Sequence, residues 1–173
     1  GDWSSDVCSS DLNVKVLKLY CNNPKAGVLK RDGINGLEKL IFNNDELKSD
    51  KILNDLQKVS PDLIVLAGFL KKIPEKITDF FRNKIINIHP SLLPKYGGKG
   101  MYGINVHKAV LENNEQYSGF TIHLVNKNYD EGDIIFQKKI KTNTKNPVDL
   151  AKKILIEEHK FYPQIIEKIL DES

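Results

Sequence analysis

The stretch Asn87-Ile88-His89-Pro90-Ser91-Leu92-Leu93-Pro94 and the later run Asp130-Glu131-Gly132-Asp133 together supply an amide, an imidazole and a carboxylate. Asn87 and His89 are two residues apart, so on a strand of period two their side chains leave from the same face. Pro90 holds the residue before it in extended backbone and so fixes how the imidazole departs from the strand. An amide donor, an imidazole and a carboxylate converging at a strand end point to acyl-type chemistry, in which an oxyanion is stabilised while a proton is moved. A lone histidine at such a place is more often a packed or surface residue than a catalyst; the paired Asn87 sets His89 apart.

These residues need a strand to carry them. Leu63 to Phe69 and Lys84 to Ile88 both read as buried strands, which puts Asn87 and His89 where a strand gives way to a loop, the edge at which open α/β sheets bind ligands. Upstream, Asn13 to Cys21 alternates as a first strand, Asn23-Pro24 opens a short helix through Lys30, and Leu40 to Phe42 is a short strand. The spacing of Leu47, Ile52, Leu53, Leu56 and Val59 predicts one amphipathic helix over Asp45 to Val59, ended by Pro61. Another helix runs from Ile73 to Phe81. The resulting βαβαβ alternation argues for an α/β fold with a mostly parallel sheet. Gly97, Gly98, Gly100 and Gly103 form a permissive loop before a helix from Asn105 to Leu111, with a spacing that matches no phosphate-binding fingerprint. Tyr117 to Val125 and Ile134 to Ile140 read as strands antiparallel to each other across the Asp130 loop. A helix from Pro147 to Leu170 follows, interrupted near Pro163.

The 173 residues amount to about one domain. The 26 Lys plus Arg are scattered among 23 Asp plus Glu, so the net charge of +3 forms no patch that would make nucleic acid the main partner. It mildly favours anionic small molecules. No apolar run approaches the ~20 residues that cross a bilayer, and we expect a cytoplasmic protein without membrane partners. The two cysteines, Cys8 and Cys21, lack metal-ligand spacing and read as reduced thiols, so no metal is expected. Gly1 to Leu12, rich in Ser and Asp, reads as disordered or foreign to the fold.

With Leu66-Ala67-Gly68-Phe69 ahead of it and Lys95-Tyr96 behind it, the run Asn87 to Pro94 with Asp130-Glu131-Gly132 resembles the formyltransferases that use 10-formyltetrahydrofolate. Within that family it is most similar to the branch acting on phosphoribosylglycinamide in purine biosynthesis. The likeness runs from about Val16 to Ile169. It implies a three-layer Rossmann-like formyltransferase fold, mostly parallel with an antiparallel C-terminal part, occupying residues 13–173. It also implies formyl transfer from 10-formyltetrahydrofolate to the amine of 5-phosphoribosylglycinamide, both small molecules, by a monomer or homodimer.

The resemblance assigns catalysis to His89, Asn87 and Asp130. His89 and Asn87 would donate to the oxyanion, and the Asp130 carboxylate would keep the imidazole protonated. Leu70, Lys71, Lys72 and Ile73, with Asn87 and Gly132, fall on the folate-binding positions, and Pro90 and Glu158 on positions facing the glycinamide substrate. Without the family, Lys71 and Lys72 are a solvated strand end and Asp130 is a turn residue. His123 is ranked as structural support, His107 and His159 as surface or packing residues.

The chain departs from the family at its start. The family's opening strand, its Ser-Gly-x-Gly-Ser-Asn loop and first helix have no counterpart, so an N-terminally truncated domain lacking phosphate-binding amides is expected. Asp45 stands where an arginine often lies. Methionyl-tRNA formyltransferase, formyltetrahydrofolate hydrolase and a non-catalytic folate-binding remnant remain as alternatives. Against the first two, Lys95-Tyr96-Gly97-Gly98-Lys99-Gly100 follows Pro94 where the tRNA enzyme carries Arg-Gly-Ala-Ala-Pro, and the hydrolase's regulatory domain is not expected ahead of the fold.

Overall fold

The computed structural model describes residues 13–173; the expectation for Gly1 to Leu12 lies outside them. The fold is α/β, built on two ladders. In the first, β1 (Leu19–Cys21) pairs in parallel with β2 (Lys39–Ile41). After α1 (Asn44–Lys48) and α2 (Lys51–Val59), β3 (Ile64–Leu66), α3 (Glu75–Phe80) and β4 (Ile85–His89) form a parallel βαβ unit. Beyond α4 (Ile104–Glu112), β5 (Tyr117–Leu124) and β6 (Ile134–Lys141) extend the second ladder antiparallel, in the order β3-β4-β5-β6. The long helix α5 (Pro147–Asp171) closes the fold.

The alternation along β4 divides the interior. Ile86 and Ile88 join Val110 of α4, Phe120 and Ile122 of β5, and Leu150, Ile154 and Tyr162 of α5 in one apolar cluster. Ile85 turns the other way, onto Phe42, Leu47, Ile52, Leu56, Ile77 and Phe81. Each such aliphatic side chain stabilises the fold by roughly 1.5–3 kcal/mol through burial. Asn87 and His89 share the face of Ile85, but lie at the strand's C-terminal end.

Four sequence expectations change. Only Leu19–Cys21 of the predicted first strand is ladder-paired, because β2 offers three partners; Val16 and Leu17 are exposed. The helix expected through Lys30 is replaced by short 3-10 turns at Gly27–Lys30 and Asp32–Ile34. Asn23 caps no helix: its Oδ1 accepts from the Lys25 amide at 3.0 Å in a local turn. The single helix over Asp45 to Val59 is two, because Ser49 is extended; α1 carries its own capping box, with Asn43 Oδ1 accepting from Glu46 N and Glu46 Oε2 from Asn43 N, both at 2.9 Å. By contrast α5 runs unbroken through Pro163.

Candidate functional site

β4 lies inside the second ladder with partners on both sides, and these set what surrounds its polar end. Leu66 of β3 pairs with Asn87, while His123 and Thr121 of β5 pair with Asn87 and His89. Side chains opposite each other on adjacent strands share a face. The Asn87 Nδ2 accordingly lies 3.3 Å from His123 Nε2.

His89 is buried, with 5 % of its surface exposed. Its Nε2 is 2.7 Å from the Tyr96 carbonyl oxygen, which only accepts, so Nε2 carries the proton. That leaves Nδ1 bare in the neutral ring, 3.7 Å from Asp130 Oδ1. Burial lowers the His89 pKa; the Asp130 charge and the Tyr96 hydrogen bond oppose this without overcoming it. The expectation of an imidazole held protonated by Asp130 is therefore corrected: desolvation wins, and His89 rests neutral with a site for a proton facing a carboxylate.

Asp130 does sit in a turn, at φ 54°, a conformation that Asp tolerates better than most residues. The turn aims its carboxylate inward. Oδ2 accepts from the Gly98 amide at 3.0 Å, and Oδ1 lies 3.6 Å from His123 Nε2 as well as 3.7 Å from His89 Nδ1. Burial pushes the carboxyl up, but positive charge on His123 or His89, when either ring carries it, and the Gly98 amide outweigh it and hold Asp130 below the ordinary carboxylate range. Since His89 is itself held neutral by burial, the Gly98 amide is the permanent part of that support.

The loop after His89 is held by a polar cluster that residue types alone did not single out. Thr121 Oγ1 donates to the Ser91 carbonyl at 2.7 Å and accepts from Leu93 N at 3.0 Å. Gln137 Nε2 reaches the Leu93 carbonyl at 2.8 Å, and Ser91 Oγ donates to the Lys95 carbonyl at 2.7 Å. This lacing fixes the Tyr96 carbonyl against His89. Pro90 is half-buried at its start.

The remaining expected site residues are spread around this knot. Leu70, at 53 % exposure, and Lys71 and Lys72 lie open on the loop after β3, which turns at Gly68 with φ 65°. Ile73 instead packs on the cluster beneath. Glu158 is buried on α5, one turn before Tyr162, whose hydroxyl donates to the Leu66 carbonyl at 2.8 Å. Glu158 thus belongs to the helix face that meets the end of β3 beside Asn87. Gly132 backs the site closely: a Cβ there would overlap the Leu124 carbonyl. His107 is buried in α4, a packing position as expected. His123, ranked only as support, joins both Asn87 and Asp130; the register of β4 with β5 would have revealed it.

Among the described residues no helix is long and apolar enough to cross a membrane, and no group of three or more His, Cys, Asp or Glu is gathered to hold a metal ion.

The formyl transferase family profile matches residues 4–166. A chloroplastic phosphoribosylglycinamide formyltransferase of Arabidopsis thaliana is 41% identical over 173 residues, covering 95% of this chain and 59% of the plant protein. The Haemophilus influenzae phosphoribosylglycinamide formyltransferase is 34% identical over 169 residues, covering 93% of this chain and 77% of that protein. The crystal structure of the Anaplasma phagocytophilum phosphoribosylglycinamide formyltransferase superposes with a TM-score of 0.84 at 30% identity, covering 95% of this chain and 78% of that one. The chain spans less than two thirds of the length of the plant relative. Its sequence and its Rossmann-like fold agree on one assignment: this chain belongs to the formyl transferase family.

Proposed function

We propose that the chain transfers a formyl group from 10-formyltetrahydrofolate to the amine of 5-phosphoribosylglycinamide, a cytoplasmic step of purine biosynthesis. The observation that carries this reading is the set of contacts around Asp130, whose one carboxylate oxygen faces His89 Nδ1 at 3.7 Å and His123 Nε2 at 3.6 Å while Asn87 stands beside them. In the reaction the amine nitrogen bonds to the formyl carbon, the bond from that carbon to the folate nitrogen breaks, and one proton passes from the amine to that nitrogen.

Each group has a part it can play. Asn87 has a second Nδ2 hydrogen free of His123, available to the developing oxyanion. His89 takes the travelling proton at Nδ1, because Nε2 is committed to Tyr96. Asp130 stabilises the imidazolium so formed and releases it when the proton moves on. The loose ion contacts suit groups that pair only while charge is present. Leu70 and the loop at Gly68 offer an exposed apolar side chain and bare backbone groups, which fits a flat heterocycle with a polar edge. Ile73 supports that loop from below, Lys71 and Lys72 lie open to an anionic tail, and Gly132 lets backbone come close. Pro90, directly after His89, and Glu158, one turn before Tyr162, are the residues we assign to the glycinamide substrate.

The test is an assay of the purified chain with both substrates, following deformylation of the folate. Formyl transfer that requires 5-phosphoribosylglycinamide is expected. Folate binding without turnover, hydrolysis alone, or transfer to methionyl-tRNA instead would overturn the reading in favour of a binding remnant, a hydrolase or the tRNA enzyme.

A further inference from the structure

We infer that His123 is a positioning residue that holds the Asn87 amide in a single orientation, because the Leu124 carbonyl and Gly132 fix it as the Nδ1-protonated tautomer. The inference rests on the activity proposed for Asn87, and its first step does not depend on that activity. His123 Nδ1 lies 2.9 Å from the carbonyl oxygen of the adjoining Leu124. A carbonyl cannot donate, so that nitrogen carries the hydrogen. Nε2 of a neutral ring is then an acceptor, and Asn87 Nδ2, at 3.3 Å, is the donor within reach. Asp130 Oδ1, at 3.6 Å, lies beyond hydrogen-bond range of the same nitrogen.

The consequence falls on Asn87. An amide can be turned over, exchanging its donor and acceptor ends, and only a neighbour of fixed character selects one way. With a bare Nε2 opposite, Asn87 must offer its NH2 group, and one of its two hydrogens is used. The other remains for the reacting centre. Were Nε2 protonated, it would demand the Asn87 oxygen and reverse the amide. The charged and titratable groups facing His123 are Asp130 and, across that carboxylate, His89.

Two backbone features hold His123 in this state. The ladder between β5 and β6 slips one residue at Ile122/His123, a bulge that re-aims the side chain. The Leu124 carbonyl is backed by Gly132, where any Cβ would overlap its oxygen, and Leu124 N donates to the Asp133 carbonyl at 2.9 Å. Glycine at 132 is thus required by close approach, and it couples to Asn87 through Leu124 and His123.

The experiment is a two-bond proton–nitrogen correlation spectrum of the full chain with nitrogen-15 histidine at neutral pH, its four imidazoles assigned by single substitutions. His123 is expected to show a protonated Nδ1 and a bare Nε2, and Gly132→Ala to move part of the population toward the Nε2-protonated form. A bare Nδ1, or a doubly protonated ring, would overturn the inference. In turnover assays His123→Phe should lower kcat by up to about a hundredfold, the cost of misplacing a reacting group, while leaving KM for the folate within about twofold. His123→Gln, which can still accept from Asn87, should recover part of the loss. Unchanged kcat in His123→Phe would refute the positioning role. If the unsubstituted chain transfers no formyl group the proposed activity fails, and the tautomer spectrum still decides what fixes the Asn87 amide.

Discussion

Two polar clusters sit against the same apolar interior and are held in opposite ways. At the α2 corner, Lys18 Nζ lies 2.9 Å from Asp55 and 2.7 Å from Glu38, and the Tyr20 hydroxyl donates to Asp55 at 2.6 Å. Around Asp130 the two imidazole contacts stand at 3.7 and 3.6 Å, and only the Gly98 amide closes to 3.0 Å. The first cluster has every charge engaged. Hydrogen bonds to Glu38 and Asp55 hold Lys18 in its charged form, and burial together with Asp55 drives the Tyr20 hydroxyl well above its usual range. The second keeps pairing capacity in reserve, as sites do whose hydrogen bonds tighten only when substrate and charge arrive. Tight contacts mark the cluster that shapes the fold; slack ones mark the cluster to which we assign the chemistry.

The sharpest way to break this contrast is to remove the groups at the slack site. His89→Ala or Asn87→Ala should each lower turnover by at least about a hundredfold, the scale on which a lost transition-state donor is felt, with binding of a folate analogue changed only a few-fold. Near-normal turnover in either variant, measured under saturating substrate, would put the chemistry elsewhere.

Next in size is an acid effect from a third buried group. His107, 4 % exposed, has no partner for Nδ1 among the described residues, and burial lowers its pKa from 6.5 to about 4. Its folded pKa lies below the unfolded one, so the unfolded chain binds the proton first. The stability it contributes is complete above pH 6.5 and is lost as pH falls toward about 4. Across that window the loss should be on the order of 3 kcal/mol. His107→Gln should flatten the slope in urea titrations at stepped pH; a slope identical to the parent's would mean that His107 plays no part.

Asp130→Asn should reduce turnover by about tenfold, ~1.4 kcal/mol in the barrier. It removes the charge that props up His89, so the acid limb of the rate profile should move to lower pH. An unmoved profile with full activity would leave Asp130 as a turn residue only. The smallest effect belongs to the tight cluster. Asp55→Ala should cost about 1–2 kcal/mol of stability, by denaturant unfolding, because Tyr20 and Lys18 lose their shared acceptor, and turnover should stay within about twofold. A large drop in turnover instead would erase the distinction between the two clusters.

The polar end of β4 was legible because it obeys short-range rules: period two puts Asn87 and His89 on one face, and Pro90 sets the exit. Asp130 was legible only through resemblance, since Asp-x-Gly by itself reads as a turn, which it also is. His123 was legible only as structural support, because its contacts with Asn87 and Asp130 depend on the register of β4 with β5, a pairing between residues far apart in sequence. The Tyr96 carbonyl and the Gly98 amide carry no residue-type signature at all. The same division holds for the frame. Alternating helix and strand predicted the parallel βαβ unit and the antiparallel β5–β6 hairpin, whereas the first strand shrank to the three residues that β2 can pair. The start of α1 is set by a capping box at Asn43 and Glu46 that apolar spacing does not register, and the break falls at the extended Ser49, whose hydroxyl donates to the Glu46 carbonyl. Pro163 fails to break α5 because Glu158 and Tyr162 keep that helix buried on the turn before it.

The division of the sheet into two ladders bears on how the molecule opens. Among the described residues no backbone ladder joins β1–β2 to β3–β6; side chains such as Tyr20, Leu40, Ile64 and Leu66 meet on a common cluster instead. Contacts of that kind can part without unzipping either ladder. The amides of β1 and β2 therefore belong to a smaller cooperative unit than those of Ile86 or Ile122, and they should reach exchange with solvent through a partial opening that leaves the Asn87–His123 pair closed. Under mild denaturant the corner around Lys18 would be released first, and the hydrogen bonds that orient Asn87 would outlast it.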